Sequence, residues 1–279
     1  MDDTQAPALP VALHADIGDG LRIHYHEVGP VDGPPLVFLH GSGPGASGYS
    51  NFKGNFAWFG EAGWRTFVPD ALGYGRSSMP ADAEYHLDFL VDGVRRWLDA
   101  IGVVKASFIG NSMGGAMAIR FANLHPERVE KLVLMAPGGL EAREVYMGMR
   151  GIKRMIRAFF SPEGITRDSM RRVFELQLYD GSLVTDEIIE ERFQVAELQP
   201  KAVMATSKVP NQTEHLAALD CPVFAWWGLD DQFCPVSGAD TILRSVKGAR
   251  VMHLAQCGHW VMVEHRDLFN RLTRDFLEE

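Results

Sequence analysis

The chain has 279 residues, of which 46% are hydrophobic and 23% charged, and it carries a formal net charge of −9 at pH 7. This is the composition of an ordinary globular protein with apolar material for one large α/β domain or two small ones. The acidic balance argues against nucleic acid or an anionic membrane surface as partner, because both require basic patches, and no stretch approaches the roughly 18 unbroken apolar residues of a membrane helix.

In chain order, Leu21-Arg22-Ile23-His24-Tyr25-His26 alternates as a half-buried strand does, and a turn-rich connection follows at 29–35. Leu36-Val37-Phe38-Leu39 is a short continuous apolar run, the mark of a strand buried on both faces. Thr66-Phe67-Val68, Ser107-Phe108-Ile109, Leu132-Val133-Leu134-Met135, Val223-Phe224-Ala225-Trp226 and Arg250-Val251-Met252-His253-Leu254 read the same way. Helical patterns fall at 86–100, at 116–124 and from about 266 to 276. Strands alternating with helices predict an α/β fold with a mostly parallel central sheet flanked by helices. One segment breaks the alternation: between 140 and 212 no buried strand is legible, and amphipathic helices are predicted over 145–160, 167–178 and 185–198. Pro137-Gly138-Gly139 opens this segment and Val209-Pro210-Asn211 closes it. It is too long for one βα connection, so it reads as a helical lid inserted after the strand that ends at Met135. The core is then 1–139 with 213–279, and the lid 140–212.

The chemistry concentrates at the ends of the predicted strands. Gly110-Asn111-Ser112-Met113-Gly114 fits G-x-S-x-G between a strand and a helix, the turn that lifts a serine hydroxyl out of the end of a sheet. Ser112 is therefore the candidate nucleophile. It needs a base, and the base an orienting acid. Trp226-Trp227-Gly228-Leu229-Asp230-Asp231 offers two acids after one strand, and Cys257-Gly258-His259-Trp260 a base after the next. The order Ser…Asp…His is that of α/β-hydrolases. His259 is the expected base; His253, inside a strand, is expected to be a satisfied structural histidine. His40, before the Gly41-Ser42-Gly43 turn, is expected to serve as a hydrogen-bonding scaffold, and His14, His24, His26, His86, His125, His215 and His265 to serve surface or local packing. The glycine-rich loop at 40–45 suits an oxyanion hole, with the backbone N–H groups of Ser42 and Met113 as donors. The loop Asp70-Ala71-Leu72-Gly73-Tyr74-Gly75-Arg76-Ser77 is expected to support the nucleophile from behind. No phosphate loop, dinucleotide fingerprint or metal-type spacing is present, so neither cofactor nor metal is expected. Cys221, Cys234 and Cys257 read as reduced thiols, and Met1-Asp2-Asp3-Thr4-Gln5 is acidic and polar, unlike a signal peptide; the expected location is the cytoplasm.

At these residues the chain resembles the meta-cleavage product hydrolases, the C–C bond hydrolases of bacterial aromatic and steroid-ring degradation. The likeness runs through His40-Gly41-Ser42-Gly43-Pro44-Gly45-Ala46, Gly110-Asn111-Ser112-Met113-Gly114-Gly115, Leu134-Met135-Ala136-Pro137-Gly138-Gly139, Leu178-Tyr179-Asp180 with Ser182-Leu183-Val184-Thr185, Gly228-Leu229-Asp230-Asp231 and Cys257-Gly258-His259-Trp260. It implies a Ser112–His259–Asp231 triad, because the family pattern G-x-x-D-x-x-x-P selects Asp231, four residues before Pro235, over Asp230. It further implies that Arg192 holds a substrate carboxylate, that Asn51, Asn111, Gly43, Phe233 and Trp260 border the substrate, and that the chain forms a dimer or larger homo-oligomer. The implied substrate is a small molecule with a carboxylate and a dienol, a 2-hydroxy-6-oxohexa-2,4-dienoate cleaved by water at C5–C6. Phe193 departs from the tryptophan of the biphenyl-type members, which bears on the acyl-side pocket. A carboxylesterase or lactonase with the same triad is the alternative, and a ligand-binding receptor on a silenced hydrolase scaffold a third reading. The lid residues Met147, Met149, Met155, Phe159, Phe160 and Leu176 are candidates either to line the pocket or to pack the lid on itself.

Overall fold

The computed structural model describes residues 10–279; the N-terminal pentapeptide lies outside the described residues. The strands are β1 (Ala12–Asp16), β2 (Arg22–Val28), β3 (Pro35–Leu39), β4 (Arg65–Pro69), β5 (Ala106–Asn111), β6 (Val129–Met135), β7 (Val223–Gly228) and β8 (Arg250–Leu254). They form one sheet in the order β1-β2-β4-β3-β5-β6-β7-β8. β2 runs antiparallel to β1 and β4, and every other neighbouring pair is parallel. The continuous apolar runs predicted the central strands for a physical reason: β5 and β7 are buried at every residue because helices cover both faces of the sheet.

The helices in chain order are α1 (Gly48–Phe52), α2 (Phe56–Glu61), α3 (Leu87–Ala100), α4 (Met113–Leu124), α5 (Arg143–Gly148), α6 (Arg150–Phe159), α7 (Arg167–Phe174), α8 (Asp186–Ala196), α9 (Lys201–Thr206), α10 (Ser237–Ser245), α11 (Val261–Glu264) and α12 (Arg266–Glu278). α3 buries Leu87, Leu90, Val91, Val94, Trp97 and Leu98 at spacings of three and four, and His86 caps it by accepting from Phe89 N–H at 3.0 Å. α3, α4 and α10 share one core cluster on one face of the sheet. On the other face α2, α12 and the buried residues of α6–α8 share a second cluster with Phe38, Met135, Phe233 and Trp260. The five helices α5–α9 all lie between β6 and β7 in the chain; α6–α8 pack through this second cluster, whereas Val203 of α9 and Tyr146 of α5 pack with the first.

Several expectations need correction. β2 is not half-buried: Ile23, His24, Tyr25 and His26 are all buried, because β1 and β4 flank it and the histidine face is covered by Tyr49 and Asp70. β8 is not buried on both faces; it is the sheet edge, and His253 is exposed rather than a satisfied structural histidine. The predicted 145–160 helix is two helices, broken at Met149, whose backbone is extended at φ −65°, ψ 136°. Short elements with weak periodicity, β1, α1, α2 and α9, had no legible signal.

Candidate active site

Four loops at the carboxyl ends of parallel strands converge, the place where open α/β sheets bind ligands. β5 ends at Asn111 and α4 begins at Met113, so Ser112 takes up the whole reversal of direction. It does so at φ 55°, ψ −115°, a strained conformation for a residue with a Cβ. The turn is held by Ser112 N–H to the Met135 carbonyl at 2.9 Å and by Ser112 C=O accepting from Ala116 and Gly138, each at 3.0 Å. The flanking glycines are sterically required: a Cβ on Gly110 would lie 2.5 Å from the Gly114 carbonyl oxygen, and one on Gly114 2.0 Å from that of Leu39.

Asp231 sits in the turn after β7. One carboxylate oxygen accepts from Phe233 N–H at 2.7 Å and Cys234 N–H at 2.9 Å, and the other faces His259 Nδ1 at 2.7 Å. Asp231 and His259 are 6% and 2% exposed. The carboxylate fixes the ring so that Nδ1 carries its hydrogen, leaving Nε2 free to take a proton. Asp230 makes no such pair; its carbonyl accepts from Gln232. Ser112 and His259 line one small cavity together with Ser42, Gly43, Asn51, Asn111, Arg192, Phe233 and Trp260. Of the positions the sequence singled out, Asp231 and Met113 are absent from the lining, Asp231 because it lies behind the His259 ring. Met113 is absent for another reason. Its side chain is core, and its N–H opens α4 without an intrahelical partner. The N–H of Ser42 likewise makes no backbone hydrogen bond among the described residues. Two preorganised donors are thus available beside Ser112.

Arg192, on α8, is 2% exposed. Its Nη2 donates to Asn51 Oδ1 at 2.8 Å, and its guanidinium lies over the rings of Trp260 (4.8 Å) and Phe174 (5.0 Å). Nε and Nη1 are buried with no hydrogen-bond partner among the described residues. Burial lowers its pKa to about 10, and the adjacent Glu191 offsets this only in part. Glu191 is engaged elsewhere, by Lys53 at the end of α1, at 2.7 Å. The glycine-rich loop at 40–45 is moulded to this helix: Gly45 has φ +60°, and a Cβ there would fall 1.8 Å from the Arg192 carbonyl oxygen. Asn51 also approaches Asn111 Oδ1 at 3.4 Å, and Asn111 Nδ2 reaches the carbonyls of Met135 and His259, each at 3.4 Å. A polar chain therefore runs from the guanidinium to the backbone of the base.

Phe193 does not line the cavity. It is buried in the second core cluster with the Arg167 guanidinium 4.1 Å over its ring, so its departure from tryptophan acts through packing. Of the six lid candidates only Met155 lines the cavity; Met147 and Phe160 are exposed. Sequence reasoning missed Ile152 and Gln177 in the lining. It also missed Cys234, whose N–H donates to Asp231 at 2.9 Å and whose buried thiol is held neutral because burial pushes its pKa well up. The invisible signal for Gln177 is contact: its carbonyl accepts from His259 N–H at 2.7 Å and Trp260 N–H at 3.2 Å.

His40 fills its expected scaffold role. Its Nδ1 faces the Gly41 carbonyl at 2.8 Å and its Nε2 accepts from Ala71 N–H at 3.0 Å, an arrangement open only to the neutral ring. Burial, the largest influence, holds its pKa below the ordinary 6.5 against the opposing pull of Asp70; His26 is depressed for the same leading reason. A folded-state pKa below the unfolded value means that this stabilisation is fully present above the unfolded value of about 6.5. It is lost as pH falls towards and through the folded value. Urea titrations are therefore expected to show unfolding free energy falling below pH 6.5, with a slope of at most about 1.4 kcal/mol per pH unit for each histidine. His40→Asn should flatten that slope; an unaltered slope places the acid sensitivity elsewhere.

Comparisons with known proteins bear on the fold and the family. The family model for the α/β-hydrolase fold matches residues 34–266. A 2-hydroxy-6-oxo-6-phenylhexa-2,4-dienoate hydrolase of Burkholderia cepacia is 37% identical over 265 residues, 92% of this chain and 91% of the relative. A 2-hydroxy-6-oxononadienedioate/2-hydroxy-6-oxononatrienedioate hydrolase of Comamonas testosteroni is 35% identical over the same shares of the two chains. Among solved structures, a meta-cleavage product hydrolase from Pseudomonas fluorescens superposes with a TM-score of 0.83 at 28% identity, covering 95% of this chain and 97% of that one. The chain belongs to the α/β-hydrolase fold family and, within it, to the meta-cleavage product hydrolases.

Proposed function

We propose that the protein hydrolyses the C5–C6 bond of a 2-hydroxy-6-oxohexa-2,4-dienoate-type product of meta ring cleavage, with Ser112, His259 and Asp231 as its catalytic triad. The observation that carries this reading is the Arg192 guanidinium, buried with two N–H-bearing nitrogens unpartnered in the cavity that also holds Ser112. A buried charge without a counter-ion is costly unless a ligand supplies one, and a planar guanidinium matches a carboxylate bidentately. The site thus asks for an acid whose electrophilic carbon lies several bonds from its carboxylate. A simple esterase has no use for that arrangement.

In this mechanism Arg192, oriented by Asn51, holds the substrate's C1 carboxylate. The dienol ketonises, its hydroxyl proton leaving and a proton arriving at C5. Ser112 Oγ then attacks the C6 carbonyl as His259 Nε2 takes the hydroxyl proton, and the Ser42 and Met113 N–H groups stabilise the oxyanion. The C5–C6 bond breaks with its electron pair entering the C2 carbonyl through the C3–C4 double bond, and His259 returns the proton to the departing dienolate. This leaves 2-hydroxypentadienoate and an acyl group on Ser112. Water, deprotonated by His259, attacks the acyl carbon and releases the second carboxylic acid. One water is consumed overall.

The cavity's free space is about 30 Å³, against roughly 300–1,000 Å³ for pockets that hold drug-sized ligands. Segment 140–212 therefore acts as a lid that moves to admit substrate. The same reading puts the reaction in aromatic or steroid-ring catabolism in the cytoplasm, a compartment that suits three free thiols, and in a dimer or larger homo-oligomer. A panel of ring-fission products differing at C6, followed by loss of dienolate absorbance, tests the activity. At least one is expected to reach a kcat/KM of about 10⁴ M⁻¹s⁻¹ or more, with p-nitrophenyl acetate far behind. Negligible turnover across the panel with rapid ester cleavage would favour an esterase instead.

A further inference from the structure

Gln177 is 4% exposed and lines the active-site cavity, and its side-chain Oε1 is buried without a hydrogen-bond partner among the described residues. A buried acceptor left unpaired costs free energy, so the amide keeps hydrogen-bonding capacity that the fold itself does not use. Its main chain is fixed in place. The Gln177 carbonyl accepts from both His259 and Trp260, and the Gln177 N–H donates to the Phe174 carbonyl at 2.9 Å. Phe174 and Trp260 are the two rings that carry the Arg192 guanidinium. Gln177 thus belongs to the wall that joins His259 to the rings around Arg192.

On the reading that Arg192 holds the C1 carboxylate, the substrate atom next to it is the oxygen on C2. We infer that Gln177 is a specificity-determining residue that hydrogen-bonds this C2 oxygen. An amide suits the task on both sides of ketonisation. Its oxygen accepts from the dienol O–H, and its NH₂ donates to the C2 carbonyl of the ketone or to the dienolate oxygen. A leucine or phenylalanine there would leave the C2 oxygen desolvated and unpaired in both forms. The inference narrows the substrate class to acids oxygenated at C2, since a site built to pair a substrate hydroxyl or carbonyl rejects the analogue lacking it.

The test uses two competitive ligands that cannot be cleaved, 2,6-dioxo-6-phenylhexanoate and 6-oxo-6-phenylhexanoate, which differ only in the C2 oxygen. Wild-type protein is expected to bind the first about tenfold or more tightly than the second, and Gln177→Met to abolish that preference. The same variant should lose roughly 10- to 100-fold in kcat/KM on the dienoate, while p-nitrophenyl acetate turnover, which needs the triad but no C2 oxygen, stays within about threefold. A preference that survives in Gln177→Met overturns the assignment. So does an equal loss on dienoate and ester, which would make Gln177 a mere support of the His259 loop. Should the Met variant not fold, Gln177→Asn draws the amide back by one carbon and is expected to lose most of the preference; an undiminished preference there also overturns it. Failure of wild-type protein to bind either acid would instead count against the Arg192 reading itself.

Discussion

Ser112→Ala is expected to lower kcat on a ring-fission dienoate by about 10⁴-fold or more, while the dissociation constant of the dienoate stays within about threefold. The two quantities separate because different parts of the cavity set them. On the proposed reading binding rests on Arg192 and Asn51, on α8 and α1, and neither bonds the Ser112 hydroxyl. Bond cleavage needs an oxygen on Cβ, and alanine removes only that atom. The fold should tolerate the change, since the strain at φ 55° is the same for alanine as for serine and the fixing hydrogen bonds are all main-chain. The buried Cys234 thiol cannot replace the nucleophile, because burial keeps it protonated. Stopped-flow absorbance for cleavage and equilibrium titration for binding read the two effects. Cleavage within tenfold of wild type would remove Ser112 as the nucleophile.

That prediction could be drawn almost wholly from the sequence, whereas others could not, and the difference is physical. The elbow is local: a strand, a turn that needs glycine, and a helix occupy adjacent residues, so the pattern that makes the structure is contiguous. The order of Ser112, Asp231 and His259 along the chain follows from a parallel sheet whose strand ends all face one way. Choosing between Asp230 and Asp231 depends on which carboxylate the Phe233 and Cys234 N–H groups close upon, a geometry that spacing alone leaves open and that family likeness resolved. Gln177, between Leu176 and Leu178, reads as the polar position of an amphipathic segment. It is buried because Gly258 lets the chain come close, a Cβ there meeting the Gln177 carbonyl oxygen at 2.6 Å. The burial of β2 and the exposure of β8 depend on which strands end up inside the sheet, and alternation within a strand does not encode that. α1 and α2 are too short for periodicity; they form because Phe52, Phe56 and Phe59 pack into the second core cluster.

Arg192→Met is expected to move activity and stability in opposite directions. In the ligand-free fold the guanidinium is a buried cation whose pKa burial has lowered to about 10. The drop from the ordinary guanidinium range corresponds to about 3 kcal/mol of disfavoured charge at neutral pH. Methionine is shorter but apolar and flexible, and its thioether can lie against the same Phe174 and Trp260 rings. It leaves Asn51 Oδ1 without its donor, which costs about 1–3 kcal/mol. Relief of the buried charge and loss of the hydrogen bond partly cancel, so the variant should be as stable as wild type or more stable by about 1–2 kcal/mol. The substrate carboxylate, however, loses a bidentate, charge-assisted partner in a dry site, so kcat/KM on the dienoate should fall by about 10²- to 10³-fold. Turnover of an uncharged p-nitrophenyl ester should change little. Arg192→Lys should recover only part of the loss, because an ammonium cannot reproduce the fork. Denaturant midpoints read the first effect, and paired kinetics on acid and ester the second. A destabilised variant with the ester and the dienoate impaired alike would make Arg192 a structural residue. Preserved stability with loss confined to the acid makes it the charge that the fold bears unpaired until a carboxylate arrives.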